Sequence, residues 1–215
     1  MNKLLTFFIV FLTAAQVSFA QQDPKAEKIL DQMSEKYKSL KSYKANFSQA
    51  IENPMSKINE TMEGEIIVQG KKYKLNMAGQ EIINNGSAVY TYLKDANEVN
   101  ISVPEEGADE MNPTNIFSMY KTGYKYMFLE ERKDGAKTYE VVELAPEDRN
   151  NPIFKIQLVI DKKDKSLVSW KMFNKNNGNR YLYQIKNFTP NVPVTASTFT
   201  FDKSKYKGVQ VIDLR

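Results

Sequence analysis

A mainly β (α+β) fold, with one long helix ahead of many short antiparallel strands, follows from three features of the sequence. Residues 24–40 carry apolar side chains at helical spacing. From Tyr43 onward the apolar period changes to two. Asn-Gly, Asp-Gly and similar pairs then punctuate the alternating stretches at short intervals. No repeating strand–helix–strand pattern runs through them, which argues against a parallel α/β sheet.

The chain opens on Lys3 and a short apolar run, Leu4 to Leu12, after which Ser18 and Ala20 frame a cleavage site before Gln21. This is the layout of a secretory signal peptide over residues 1–20. The run is too short and wrongly flanked for a stable membrane span. The mature chain, 21–215, is expected to be one exported domain.

Asp23 is a natural N-cap and Pro24 suits the first helical position. Ile29, Leu30, Met33, Tyr37 and Leu40 give the helix one apolar stripe. The first strand follows from Tyr43, with Ala45, Phe47, Gln49 and Ile51 in alternation. Further strands are expected at 61–69, 72–78, 80–84, 88–93, 97–103, 124–131, 137–144, 153–160, 167–174, 180–188 and 209–213. Asn112 to Tyr120, with Pro113 early and apolar residues at 116, 117, 119 and 120, predicts a short helix of about two turns, ended by Gly123. A meander of this length either packs its middle with its own side chains or stays open around a lipophilic hollow plugged by helices. Periodicity does not separate the two.

Composition narrows the chemistry. Thirty Lys and Arg face 26 Asp and Glu, a net charge of +4 with no dominant basic run, which gives nucleic-acid binding little support. Lys203, Lys205 and Lys207 alternate with Ser and Tyr and read as a solvated strand edge. There is no cysteine to form a disulfide or to carry a lipid. There is no histidine either, so histidine-based nucleophilic catalysis and histidine metal sites are absent, and neither metal nor cofactor is expected. The stretch from Ile160 to Leu167 resembles a calcium loop but lacks its glycine and terminal Glu, and reads as a hairpin turn. Glu63 and Glu65, on one strand face, are the best carboxylate pair for an enzyme; solvent exposure explains them equally well.

Family motifs sharpen this picture. Phe47-Ser48-Gln49 follows the first helix. Asn85-Gly86 leads into Val89-Tyr90-Thr91-Tyr92. Asn187 to Val194 precedes Phe199-Thr200-Phe201, and the chain closes on Gly208-Val209-Gln210-Val211-Ile212-Asp213. In order and spacing these resemble the F-[ST]-Q strand, the D-G-x-x-L-W-x-Y hairpin and the closing F-x-F and V-x-V-I-D-like signature of the periplasmic lipoprotein carrier family, LolA, over roughly 27–213. The resemblance implies an incomplete antiparallel β-barrel (half-barrel), closed by the long N-terminal helix and a short lid helix. It also implies a job: a chaperone that binds the acyl chains of lipoproteins released from the inner membrane and carries them to the outer membrane. Its partners would be triacylated lipoproteins, the inner-membrane lipoprotein-releasing ABC transporter and an outer-membrane acceptor. The carrier would work as a monomer in the periplasm of a Gram-negative cell, without enzymatic activity.

Each buried methylene is worth about 0.8 kcal/mol, so acyl chains in transit must be hidden in a hollow offering broad apolar contact. Met and aromatic side chains adapt to chains of variable shape. The expected lining is Tyr43 and Phe47; Tyr73, Leu75 and Met77; Tyr90 and Tyr92; Met127 and Leu129; and Ile156 and Leu158. Ile29, Met33 and Tyr37 of the long helix, with Ile116 and Met119 of the short one, form the expected cover. Each of these residues could equally be ordinary core. One departure bears on closure. Gly70 falls where the family commonly has an arginine that latches the cover, and Lys71 or Lys72 lacks the planar fork of a guanidinium. The alternative to a lipoprotein carrier is a periplasmic lipid or glycolipid shuttle, or a sensor of the RseB type, built on the same half-barrel.

Overall fold

The computed structural model describes residues 22–104 and 115–215. The expected signal peptide, 1–20, lies outside the described residues. Helix α1 (Pro24–Lys38) begins as expected: Asp23 accepts hydrogen bonds from the amides of Lys25 (2.9 Å) and Ala26 (3.4 Å), and Pro24 needs no partner for a missing N–H. The helix ends at Ser39, whose amide returns to the Glu35 carbonyl, with Lys36 and Lys38 in the last turn where the dipole favours cations.

Among the described residues, twelve strands form one open sheet. They are β1 (Tyr43–Asn53), β2 (Ile58–Gln69), β3 (Lys72–Met77), β4 (Gln80–Asn84), β5 (Val89–Leu93), β6 (Glu98–Ser102), β7 (Tyr124–Asp134), β8 (Lys137–Pro146), β9 (Ile153–Asp161), β10 (Leu167–Asn174), β11 (Arg180–Pro190) and β12 (Gln210–Asp213). Their order is β12-β6-β5-β4-β3-β2-β1-β11-β10-β9-β8-β7. Strands β1 to β6 march to one side, and β7 to β11 return from the far edge to pair β11 with β1. All neighbours are antiparallel except β12, which runs parallel to β6. The final strand therefore departs from the meander expected from turn spacing.

Two other segments differ from the sequence reading. Of the expected helix 112–120, residues 112–114 lie outside the described residues. Residues 115–118 form a turn, and Met119–Lys121 a single 3-10 turn, ended by the positive φ of Gly123 (+77°). Lys203–Lys205 is likewise a 3-10 turn capped by Asp202, not a strand edge. The Asp161–Ser166 connection is the hairpin turn expected, with Asp161 accepting from the Lys163 amide at 2.8 Å. Lys36 of α1 reaches this turn, donating to Ser166 Oγ (2.6 Å) and pairing with Asp164 (3.2 Å).

Alternation gives the sheet an inner face, against which α1 packs, and an outer one. Ile29, Leu30, Met33 and Tyr37 of α1 join Ile66, Leu75, Leu144, Ile156 and Leu158 in one apolar cluster. At about 1.5–3 kcal/mol for each large side chain, this burial outweighs what helix propensity supplies. Phe47 lies opposite Gly64 across β1 and β2, and a Cβ at Gly64 would stand only 2.5 Å from the ring. The ring is buried and borders Tyr183, with centroids 6.3 Å apart, so it has little room to yield.

Gly64→Ala should therefore destabilise the protein by about 1–3 kcal/mol, read as a lower midpoint in urea unfolding at constant slope. Asp23 also anchors β7, because its Oδ2 accepts from the Phe128 amide at 2.7 Å. That bond, ahead of the two cap bonds, holds the carboxyl below its ordinary value of 3.8. A depressed folded-state pKa gives stability that is full above the ordinary value and lost as the pH falls through the folded one. Asp23→Asn should flatten the fall in stability below about pH 4, measured by urea unfolding across the acid range.

Candidate functional site

The inner face is built from alternate residues in register: Phe47 opposite Gly64, Ala45 opposite Ile66, Ile66 opposite Leu75, Val142 opposite Leu158, and Leu144 opposite Ile156. Of the residues expected to line or cover a cavity, Ile29, Met33, Tyr37, Tyr43, Phe47, Tyr73, Leu75, Ile116, Met119, Ile156 and Leu158 all meet in the one cluster, and Met77 packs against it. Burial, helped by the neighbouring Tyr37, pushes the Tyr43 hydroxyl well above the usual phenol range, and burial, partly offset by the Leu167 amide, pushes the Tyr37 hydroxyl up to about 12. Both rings belong to a water-poor interior.

Four expected residues lie elsewhere. In β7 the inward phase is carried by Tyr124, Tyr126 and Phe128, which pair with Pro146, Leu144 and Val142. Met127 sits in the opposite phase beside Glu143 and is 50% exposed. Leu129 is the unpaired residue of a bulge between Phe128 and Glu130, and is 39% exposed. Tyr90 and Tyr92 pair with Ile83 and Glu81, on the face opposite Leu75 and Ile82. They serve a second, outer core: Tyr90 stacks on Phe201 (5.3 Å), Phe201 on Tyr206 (4.8 Å), and Tyr92 lies 4.6 Å from Tyr206. Phe199 and Val209 are buried with Ile83, Val99 and Ile101. The closing motif thus seals the outer face of β4 to β6, and β12 then borders β6.

The inner face is exposed at two ends. Near the C-terminus of α1, a groove of about 190 Å³ is walled by Tyr37, Leu40, Tyr43, Val68 and Phe117, with Lys38 and Lys41 on its rim. At the other end, where β1, β9 and β10 approach their hairpins, the aromatic side chains are half-buried. Trp170 stacks on Tyr183 at 4.7 Å, next to Tyr181, and the Tyr183 hydroxyl accepts from Gln49 Nε2 at 2.6 Å. Met62 pairs with Gln49 on one side and extends past the end of β3, which stops opposite Gly64. These four residues escaped the sequence reading. Their signal was the alternation of Trp170 with Met172 in β10 and of Tyr181 with Tyr183 in β11, which pairs with both β10 and β1.

Residues 115–121 rest on α1. Phe117 stacks face to face on Tyr37 at 3.5 Å and meets Tyr43 edge-on at 6.0 Å. The Tyr120 hydroxyl donates to Asp31 at 2.6 Å, and Lys121 lies 3.4 Å from the same carboxylate. The Tyr120 bond, with Lys121 behind it, holds Asp31 below the ordinary range. Gly70, where an arginine latch was expected, is the positive-φ residue of the β2–β3 turn and borders the groove. The tie to α1 thus runs through Asp31. On the outer face Glu65 is paired with Lys44 (2.8 Å), which holds its carboxyl below the usual range. That is the reverse of what a general acid near neutrality needs.

Tyr120→Phe removes one hydrogen bond to a half-exposed carboxylate. It should cost about 1 kcal/mol, and amide exchange should accelerate at 115–121 before it does in the strands, read by exchange mass spectrometry.

Among known proteins, the fold resembles an uncharacterized conserved protein from Thermus thermophilus, with 13% identity, 88% of this chain and 99% of that one covered, and a TM-score of 0.58. A LolA superfamily protein from Nitrosomonas europaea matches at 12% identity over 82% of this chain and 97% of that one, with a TM-score of 0.44. A chain of the MucA/MucB complex of Pseudomonas aeruginosa matches at 11% identity over 83% and 61%, with a TM-score of 0.41. No curated protein matches by sequence. The family model described as outer membrane lipoprotein carrier protein LolA matches residues 16–176, well over half of the sequence, and the chain belongs to that family.

Proposed function

We propose that this protein is a periplasmic chaperone that takes the acyl chains of lipoproteins against the inner face of its sheet and carries them from the inner to the outer membrane. The observation that carries the reading is the inner face itself. One continuous apolar cluster, covered by α1 and residues 115–121, opens at one end on a half-buried surface of Trp170, Tyr181, Tyr183 and Met62. Few directional groups line it, so it grips by area and releases readily.

The groove of about 190 Å³ beside Tyr37 is smaller than the roughly 300–1,000 Å³ usual for pockets that enclose small ligands. Three acyl chains therefore also need the Trp170 end, and they need residues 115–121 to move off α1. In this reading α1 is the fixed part of the cover and 115–121 the movable part, held by the Asp31 contacts and the Phe117–Tyr37 stack. Residues 1–20 direct export and are removed, leaving one carrier domain that acts as a monomer. An inner-membrane ABC transporter would load it and an outer-membrane acceptor would unload it. It is a binder, with no step of bond making or breaking assigned to it.

The test is the protein purified from its cells and examined by native mass spectrometry. A co-purified triacylated protein is expected. Free lipid in its place would favour the lipid or glycolipid shuttle, and an empty protein that turns over a sugar or ester library would favour an enzyme. Met62→Asp, at a half-buried position beyond the edge of β3, should lower capture at least about tenfold while leaving far-UV circular dichroism unchanged, because it introduces an unpaired charge against acyl chains. Undiminished capture would show that the guest lies elsewhere.

A further inference from the structure

The connections at the Trp170 end form one continuous rim. Asn53 Nδ2 donates to the Asn177 carbonyl (2.9 Å) and to Asn179 Oδ1 (2.7 Å), tying the β1–β2 tip to the β10–β11 tip. The Lys175 amide donates to the Pro152 carbonyl at 2.9 Å, tying that tip in turn to the β8–β9 loop. Asn53 Oδ1 also accepts from the amides of Met55 (3.0 Å) and Ser56 (3.1 Å), which fixes the tip as a turn.

This rim displays apolar side chains that are largely or partly exposed. Met55 is 90% exposed, Phe154 47% and Ile58 40%. Cations are set among them. Lys155 Nζ lies 4.5 Å from the centre of the Phe173 ring and the Arg180 guanidinium 5.9 Å from it, while Phe154 is 6.2 Å from Phe173. Lys57 and Lys175 are exposed at the two tips. Across 54–60, 147–155 and 174–180 there are five Lys or Arg (Lys57, Arg149, Lys155, Lys175 and Arg180) against three acids (Glu60, Glu147 and Asp148). Half of the chain's net charge of +4 is thus gathered in these short connections.

We propose that this rim docks on the surface of an anionic phospholipid bilayer. Apolar and aromatic side chains projecting from ordered loops, interleaved with cations, fit the interface where headgroups meet acyl chains. The rim surrounds the open end of the inner face, so docking would bring Trp170 and Tyr183 to the level at which acyl chains leave or enter the membrane. The inference holds whether the cargo is a lipoprotein or a free lipid, because it concerns the surface approached and not the guest carried.

The chain has no cysteine, so single sites can be labelled cleanly. Met55→Cys, and as a control Lys133→Cys on the β7–β8 hairpin at the opposite end of the strands, would each carry an environment-sensitive fluorophore. The purified proteins would then be mixed with vesicles of phosphatidylglycerol and phosphatidylethanolamine, or of phosphatidylcholine alone. The expected result is co-sedimentation with the anionic vesicles and a blue shift at position 55 but not at 133, with both effects largely lost in roughly 1 M salt. Lys57→Glu combined with Lys175→Glu should weaken vesicle binding about tenfold or more. Met55→Ser, at a position 90% exposed, should weaken it at unchanged thermal stability. No sedimentation with anionic vesicles, equal binding to phosphatidylcholine, or an equal shift at 133 would overturn the proposal. Lipoprotein capture by the same variants in vesicle-free solution is read separately. A charge-reversed protein that still captures cargo but no longer binds vesicles upholds the rim, whereas a wild type that binds vesicles but captures nothing contradicts only the carrier reading.

Discussion

A sheet of twelve strands that does not close on itself leaves a broad apolar face for something else to cover. Among the described residues a single amphipathic helix takes that role. Helix α1 has 15 residues and is about 22 Å long, whereas twelve strands at a spacing of about 4.8 Å extend roughly 50 Å across. One helix therefore cannot cover the whole face. The stripe of Ile29, Leu30, Met33 and Tyr37 buries the part near β8 and β9, and residues 115–121 extend the cover by resting on α1 itself. What is left is the half-buried ground around Trp170 and Tyr183. The mismatch between helix and sheet is the physical origin of the candidate site.

The same sheet divides its labour between its faces. On the inner side large apolar residues meet with few directional bonds: Gln49 and the Tyr183 hydroxyl satisfy each other, and among the described residues the buried Trp170 Nε1 has no partner. On the outer side the C-terminal segment supplies Phe199, Phe201, Tyr206 and Val209, with Phe201 stacked on Tyr90 and Tyr206 against Tyr92. The proposed carrier role needs one face that can be uncovered and another that stays covered. Without the C-terminal segment, Ile83, Tyr90, Val99 and Ile101 would be exposed, and the sheet would have two sticky faces instead of one.

Most of the fold was legible because the two periods are distinct. Helix α1 was expected at 24–40 and ends at 38; the strands were placed to within a few residues by alternation and by turns such as Asn84-Asn85-Gly86. The phase of each strand was harder to read. Met127 and Leu129 look like an inward pair, yet the pairing of Tyr126 with Leu144 turns β7 the other way and a bulge strands Leu129. Tyr90 and Tyr92 alternate cleanly, but alternation does not say which face is which when both faces of β5 are covered. The short helix expected near Pro113 is, in its described part, a turn over 115–118 followed by a 3-10 turn at Met119–Lys121, held by the stacking of Phe117 on Tyr37 and the Tyr120–Asp31 bond. That latch pairs residues 89 apart in sequence and leaves no local signal.

The most direct measurement is a structure of the protein bound to a synthetic triacylated cysteine peptide. The account predicts acyl chains lying along the inner face between Trp170, Tyr183 and Phe47, with Phe117 displaced from Tyr37. Chains found on the outer face beside Tyr92 and Tyr206, or an inner face that stays shut while the peptide binds elsewhere, would contradict it.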